Sequence, residues 1–242
     1  ISDQGYTKPT PIQEQAIPAI LAGGDILAGA QTGSGKTAAF TLPILHMLAD
    51  KSVKGQSEGR PPIRALILVP TRELAAQVEE CIIDYGKHLK LTSMVMIGGV
   101  SINPQIKALR SRVDILVATP GRLLDHISQG TLSLSQVQTL ILDEADRMLD
   151  MGFIRDIKKI LALLPKKRQT LLFSATFSPE IKTLAAQFLN DPVLIQASAP
   201  NTTVALITHK VHPVTTDQKR VLLAHLIKEH NWYQVLVFTR TK

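Results

Sequence analysis

The stretch Gly29-Ala-Gln-Thr-Gly-Ser-Gly-Lys-Thr37 combines closely spaced glycines with a lysine and a hydroxyl. Gly33 and Gly35 let the backbone wrap tightly, so successive N–H groups can point inward at anionic oxygens. Lys36 can reach the β- and γ-phosphates of a nucleotide, and the Thr37 hydroxyl can hold Mg²⁺. The segment meets the pattern GxxxxGK[ST], except that its first glycine is Ala30. Asp25–Ala28 before it reads as a strand. Ala38-Ala-Phe40 after it reads as a helix whose N-terminal dipole faces the same anion. The plainer reading is a glycine-rich turn that caps a helix. Pro43, inside that helix, is expected to kink it or to remove one hydrogen bond.

The second chemical cluster is Asp143-Glu-Ala-Asp146, at the end of the apolar run Thr139–Leu142. An apolar run closed by an acid fits a buried parallel strand whose carboxyl end holds a metal, where open α/β sheets place their ligands. Asp143 is placed to bind Mg²⁺ through water alongside Thr37. Glu144 can orient or deprotonate a water for in-line attack, a role worth about 10²–10⁴ in rate. The alternative is an acidic capping cluster before the helical stretch Arg147–Met151.

Both clusters need strands to hold them, and the chain supplies a series. Arg64–Val69, Thr92–Ile97, Ile115–Ala118, Thr139–Leu142 and Gln169–Phe173 join Asp25–Ala28 as strand candidates. Several have few polar interruptions, as strands buried on both faces do. Helical patterns at Thr71–His88, Ile102–Leu109, Arg122–Gln129 and Phe153–Leu164 lie between them. This alternation predicts an α/β fold with a mainly parallel sheet flanked by helices. Lys51–Pro62 and Ala197–Thr203 read as surface loop and linker. Strand Val204–Val211, helix Asp217–Glu229 and strand Gln234–Thr239 follow. One such unit is too small to be stable alone. The expected organisation is a first domain over 1–196, a linker over 197–206 and the incomplete start of a second domain over 207–242.

Composition agrees with a soluble globular chain: 242 residues, 45% apolar and 19% charged. The single cysteine, Cys81, excludes an internal disulfide framework and argues against a cysteine-based zinc site. No apolar run approaches the roughly 18 residues needed to span a bilayer, and no signal peptide is expected. The expected location is the cytoplasm, or a nucleus where the source has one. The net charge is +7, with +4 of it in residues 201–242. That excess attracts polyanions only weakly and does not by itself establish a nucleic-acid partner.

Asp143–Asp146 spells Asp-Glu-Ala-Asp, and the chain resembles the DEAD-box RNA helicases in several further segments, in order. Gly5-Tyr-Thr-Lys-Pro-Thr-Pro-Ile-Gln13 resembles the Q motif of that family, and Ala30–Thr37 its motif I, which tolerates alanine first. Pro70-Thr-Arg-Glu-Leu-Ala75 resembles motif Ia, Gly98-Gly99 the GG element, and Thr119-Pro-Gly-Arg122 motif Ib. Ser174-Ala-Thr176 resembles motif III, and Val237-Phe-Thr-Arg-Thr241 the start of motif IV. Val100-Ser-Ile-Asn-Pro-Gln105 and Asp150-Met-Gly-Phe-Ile154 look most like the bacterial RhlE-type subgroup.

The resemblance implies an RNA-dependent ATPase on a RecA-like domain, with ATP and Mg²⁺ as cofactors and RNA as a partner held by its backbone. It implies ATP contacts at Gln13, Ala30, Gln31, Thr32, Gly33, Ser34, Gly35, Lys36 and Thr37, with Gln13 on the adenine edge. Lys36, Asp143 and Glu144 would be catalytic, with Thr37 and Asp143 the metal ligands. Thr71, Arg72, Gly99, Thr119, Gly121 and Arg122 would contact RNA phosphates and sugars, which position a strand without reading its sequence. Asp146, Ser174 and Thr176 would couple ATP state to RNA grip. For the threonines and glycines among these, helix capping and turn formation are an equal alternative; Ser174 and Thr176 could be ordinary strand-end hydroxyls. The family's upstream aromatic and its arginine-finger motif are not matched in these 242 residues, and Arg240 is not that finger. Without a finger, commonly worth about 10³–10⁵ in rate, slow hydrolysis is expected. Two other functions stay open: an ATP-gated RNA clamp that does not unwind, and an ATPase acting on DNA or a small phosphoryl acceptor.

The remaining candidates read as structural. His209 and His212 would face opposite sides of a strand, which argues against a shared metal. Trp232 and Tyr233 are expected to pack rather than stack on bases, and Cys81 is expected to be a buried thiol.

Overall fold

Runs such as Ala65-Leu-Ile-Leu68, apolar at every position, can satisfy both faces only if helices cover both. The computed structural model, which describes residues 5–31, 33–50, 62–196, 208 and 210–239, has that form. Seven strands make one all-parallel sheet: β1 (Ile26–Gly29), β2 (Ala65–Leu68), β3 (Ser93–Met96), β4 (Ile115–Ala118), β5 (Thr139–Leu142), β6 (Gln169–Ser174) and β7 (Val193–Gln196). Their spatial order is β3-β4-β2-β5-β6-β1-β7. Six of them fall on the runs singled out above. The seventh, β7, is an edge strand with one buried residue, Ile195.

Alternate residues along each strand feed two cores. Leu66, Leu68, Leu116, Leu140, Leu142 and Leu172 belong to one, with Leu123, Met148, Ile157 and Ile181 from helices. Those residues sit on α5 (Pro120–Ser128), α6 (Ala145–Asp150), α7 (Ile154–Ala162) and α8 (Pro179–Phe188). Ala65, Ile67, Val117, Ile141 and Phe173 belong to the other, with Ile12, Phe40 and Val78. These come from α1 (Pro11–Leu21), α2 (Lys36–Asp50) and α3 (Arg72–Gly86). A short α4 (Asn103–Ala108) follows β3. Pro43 lies inside α2, which is assigned as one helix through it.

The parallel register sends every strand's carboxyl end to one edge of the sheet. Ala30 after β1, Val69 after β2, Ile97 after β3, Thr119 after β4, Asp143 after β5 and Ala175 after β6 all emerge there. The motifs above are therefore gathered by topology alone.

The chain divides into two units, Ile1–Asn201 and Thr202–Lys242. The division falls inside the proposed linker, 197–206, all of which lies outside the described residues. In the second unit the expected helix is present as α9 (Lys219–Glu229), with no buried residue. The expected strand Gln234–Thr239 is not formed, and residues 208, 210 and 211 of the other expected strand are not strand either. A strand needs a neighbour for its N–H and C=O groups. Leu236 and Phe238 accordingly stand 80% and 87% exposed. Tyr233 is exposed rather than packed, and Trp232 is half-exposed beside His230, with ring centroids 5.1 Å apart. His209 lies outside the described residues. Cys81 is only partly buried, because it stands at the margin of the α3 stripe formed by Ala75, Val78 and Ile82.

Candidate active site

The loop between β1 and α2 takes backbone angles that only glycine adopts readily. Gly33 has φ +80° and Gly35 has φ +92°. A Cβ at Gly35 would lie 2.6 Å from Nε2 of Gln13 and 2.9 Å from Oγ1 of Thr10. Gln13 braces this turn. Its Nε2 donates to the Gly35 carbonyl at 3.2 Å, and its Oε1 accepts from the Thr10 N–H at 2.9 Å. The Thr10 spacing to Gln13 is the threonine–glutamine half of a capping box, a signal readable in the sequence. Ser34 closes the loop through its hydroxyl, which donates to the Gln31 carbonyl at 2.6 Å. Ala30, buried, donates its N–H to the Ser174 carbonyl at 3.1 Å. Thr32 lies outside the described residues.

Lys36 is the first residue of α2 and is 94% buried by side-chain neighbours and backbone, with 6% exposure. Its Nζ has no hydrogen-bond partner among the described residues. A buried ammonium without a hydrogen-bond partner is costly, and a bound anion would relieve that cost. Asp143 stands at the end of β5, also buried, and its Oδ1 accepts from the Glu144 N–H at 2.9 Å. Burial pushes its carboxyl up to about 6, against the attraction of Lys36 and with the repulsion of Glu144 added. A carboxylate in that position gains from a cation. Among the described residues, no group of three or more His, Cys, Asp or Glu could hold a metal alone. Mg²⁺ does not need one, since it takes one or two carboxylates together with phosphate oxygens and water. The residues present therefore fit a polyphosphate and a divalent cation.

Glu144 occupies the left-handed region, φ 52° and ψ 50°, at the head of α6. Its side chain makes no capping bond there, which counts against the acidic-cap alternative. It pairs instead with Arg147, Nη1 to Oε2 at 3.2 Å. Arg147 was not among the expected site residues; its i,i+3 spacing from Glu144 is a helix-pair signal. Asp146 accepts from the Thr176 hydroxyl at 3.3 Å, and the Ser174 hydroxyl donates to the Thr176 carbonyl at 2.8 Å. Motifs II and III are thus in direct contact.

The expected RNA contacts gather beyond β2, β4 and β3, which are adjacent. Arg72 lies over Gly99, where a Cβ would be 2.7 Å from its Nη1. Arg122 donates from Nη2 to the Val100 carbonyl at 2.7 Å and has an ion pair with Asp125 at 3.6 Å. The two threonines separate. The Thr71 hydroxyl accepts from the Leu74 N–H at 3.2 Å and caps α3. Thr119, at the equivalent position of α5, makes no side-chain cap. Gly121, in the first turn of α5, has open space where a Cβ would stand.

The chain is similar to known proteins over its whole length. It is 44% identical over 242 residues to the ATP-dependent RNA helicase CshA of Limosilactobacillus reuteri, covering all of this chain and 47% of that protein. It is 43% identical over 243 residues to the ATP-dependent RNA helicase DeaD of Escherichia coli K12, of which it covers 37%. The chain therefore spans about half, or less, of the length of these curated relatives. Its fold matches the crystal structure of a DEAD box protein from Methanococcus jannaschii with TM-score 0.75 and 42% identity, over 94% of this chain and 59% of that one. A structure of a hypothetical ATP-dependent RNA helicase from Sulfolobus tokodaii matches with TM-score 0.72 and 39% identity, over 81% and 54%. The family model of the DEAD/DEAH box helicases matches residues 10–184, the stretch that carries the glycine loop, the acidic strand end and the motif III contacts. The chain belongs to the DEAD/DEAH box helicase family.

Proposed function

We propose that the protein is an ATP-dependent RNA helicase that couples ATP binding and hydrolysis to RNA binding and local duplex unwinding. The observation that carries this reading is the buried Lys36 ammonium without a partner, on the same sheet edge as the buried Asp143 carboxyl. Lys36 and the N–H groups of residues 30–37 hold the β- and γ-phosphates of ATP. Thr37 and Asp143 are the residues that hold Mg²⁺, which supplies charge neutralisation at the phosphates when bound. Gln13, which braces Gly35, reads the adenine edge. Glu144 orients the attacking water and accepts its proton, while Arg147 keeps that carboxylate directed.

Arg72, Gly99, Gly121 and Arg122, with Thr71 and Thr119, hold an RNA strand by its phosphates and sugars. The contact of Thr176 with Asp146 carries the state of one site to the other. Residues 207–242 open a second RecA-like domain, and turnover depends on RNA. Among the described residues no helix is long and apolar enough to cross a membrane; the proposed location is the cytoplasm.

The test is ATP turnover by the full-length protein with and without RNA, beside displacement of a strand from a short duplex. Turnover stimulated by RNA and strand release that requires ATP are expected. ATP turnover indifferent to RNA overturns the reading. RNA-stimulated turnover without strand release reduces it to an RNA clamp.

A further inference from the structure

Gly29 is the last residue of β1 and stands immediately before the phosphate-binding loop. It is opposite Ser174 in the register of β1 with β6. Its φ is not in the left-handed region, so backbone conformation does not demand glycine there. Space does. A Cβ on Gly29 would lie 2.5 Å from Cε2 and 2.6 Å from Cζ of Phe177, well inside contact distance. The Phe177 ring therefore lies directly on the Gly29 backbone. That ring is partly buried and also packs against the core beneath α5–α8, so moving it aside would give up that packing. Phe177 belongs to the loop Ala175–Ser178, one residue beyond the Thr176 that bonds Asp146. The same loop's root holds the Ala30 N–H through the Ser174 carbonyl.

We infer that Phe177 is a positioning residue, which fixes the root of the phosphate-binding loop by pressing its ring on Gly29. The inference rests on the proposed function, because it concerns the nucleotide that this loop holds. The hydrogen bond from Ala30 to Ser174 sets the distance between the two segments. The β1–β6 ladder ends at Gly29 and Ser174, and just beyond it the Phe177 ring adds a second contact, whose Cε2 and Cζ leave the Gly29 backbone no room to shift toward loop 175–178. Loop 175–178 thereby touches the acidic strand end through a hydroxyl and the phosphate loop through a ring.

A double-mutant cycle on Mg·ADP affinity tests this, read by a fluorescent ADP derivative titrated into the full-length protein. Phe177→Ala removes the buttress and is expected to weaken binding about threefold, and Gly29→Ala to weaken it about tenfold. The double variant is expected to bind no worse than Phe177→Ala alone, because the added methyl then occupies the space the ring vacated. Phe177→Leu, which keeps apolar bulk, is expected to restore most of the affinity lost in Phe177→Ala. Thermal midpoints without nucleotide are measured in parallel, so loss of fold is seen separately from loss of affinity. Should Gly29→Ala not fold, the comparison of Phe177→Ala with Phe177→Leu decides: equal affinity to the unaltered chain in both overturns the inference. Additive losses in the cycle also overturn it, while leaving the proposed function standing. Absence of any nucleotide binding by the unaltered chain overturns both.

Discussion

The two ends of the parallel sheet each bury an aspartate beside a cation, and they treat the pair in opposite ways. At the amino end, Asp114 precedes β4 and Arg64 precedes β2. Arg64 donates to Oδ1 of Asp114 at 2.7 Å, Arg112 donates to both carboxylate oxygens, and the Thr92 N–H donates to Oδ2 at 3.0 Å. Burial would raise the Asp114 pKa, but these donors outweigh it and hold the carboxyl below its ordinary 3.8. At the carboxyl end, Lys36 Nζ has no bond among the described residues and the Asp143 carboxyl is pushed up to about 6. The amino end is a finished network that serves stability. The carboxyl end leaves its charges unsatisfied, as a site must if a charged ligand is to supply the missing interactions.

The contrast can be broken at either end. Glu144→Gln in the full-length protein should keep Mg·ATP affinity and lower RNA-stimulated turnover about 10²–10⁴-fold. Unchanged turnover would remove Glu144 from its role. Asp114→Asn should behave in reverse. It strips the buried Arg64 guanidinium of its carboxylate and should cost about 3–5 kcal/mol of stability in denaturant unfolding. Nucleotide affinity, measured where that variant is still folded, should be unchanged. Lys36→Ala should weaken Mg·ADP binding by roughly 1.5–3 kcal/mol, measured by calorimetric titration, without lowering the thermal midpoint. A lowered midpoint would mean that the lysine is structural.

Acid titration sharpens the comparison by sign. Asp114 has a depressed folded pKa, so its contribution is fully present above its unfolded value of 3.8 and is lost as pH falls through the folded value. Asp143 has a raised one. Between about 6 and 3.8 the folded chain holds a proton that the unfolded chain has released, so this group makes stability rise as pH falls across that window. Unfolding midpoints from pH 3 to 8 should therefore show a shallow gain below pH 6 that Asp143→Asn abolishes. They should show a loss below about pH 4 that Asp114→Asn flattens.

Much of the carboxyl end was legible in the sequence, and little of the amino end was. Buried parallel strands read as unbroken apolar runs, and the loops after them carry fixed local spacings, such as Gly33, Gly35 and Lys36. Arg64 and Asp114 are fifty positions apart, and nothing local says that β2 and β4 are neighbours. The same limit hid the ring of Phe177 on Gly29. β7 escaped notice although Val193-Leu-Ile195 is apolar, because three apolar residues with no polar alternation are too short a run to distinguish a strand from a loop that packs locally. The expected strand Gln234–Thr239 failed for a different reason: its apolar run is present, but the described residues of the second unit offer no strand beside it. Thr71 and Thr119 looked alike in sequence, and only the structure separates the hydroxyl spent on a cap from the one that is not.

Strand order has one more consequence. β6 alone separates β1, which leads to Lys36, from β5, which leads to Asp143. Neighbouring strands lie about 4.8 Å apart, so the two roots are held roughly 9.5 Å from each other. That width is a property of backbone hydrogen bonding and not of any side chain. The sheet works as a ruler: substitutions in the loops can alter what happens between the lysine and the acid, but only a rewiring of the strands could alter the span they face each other across.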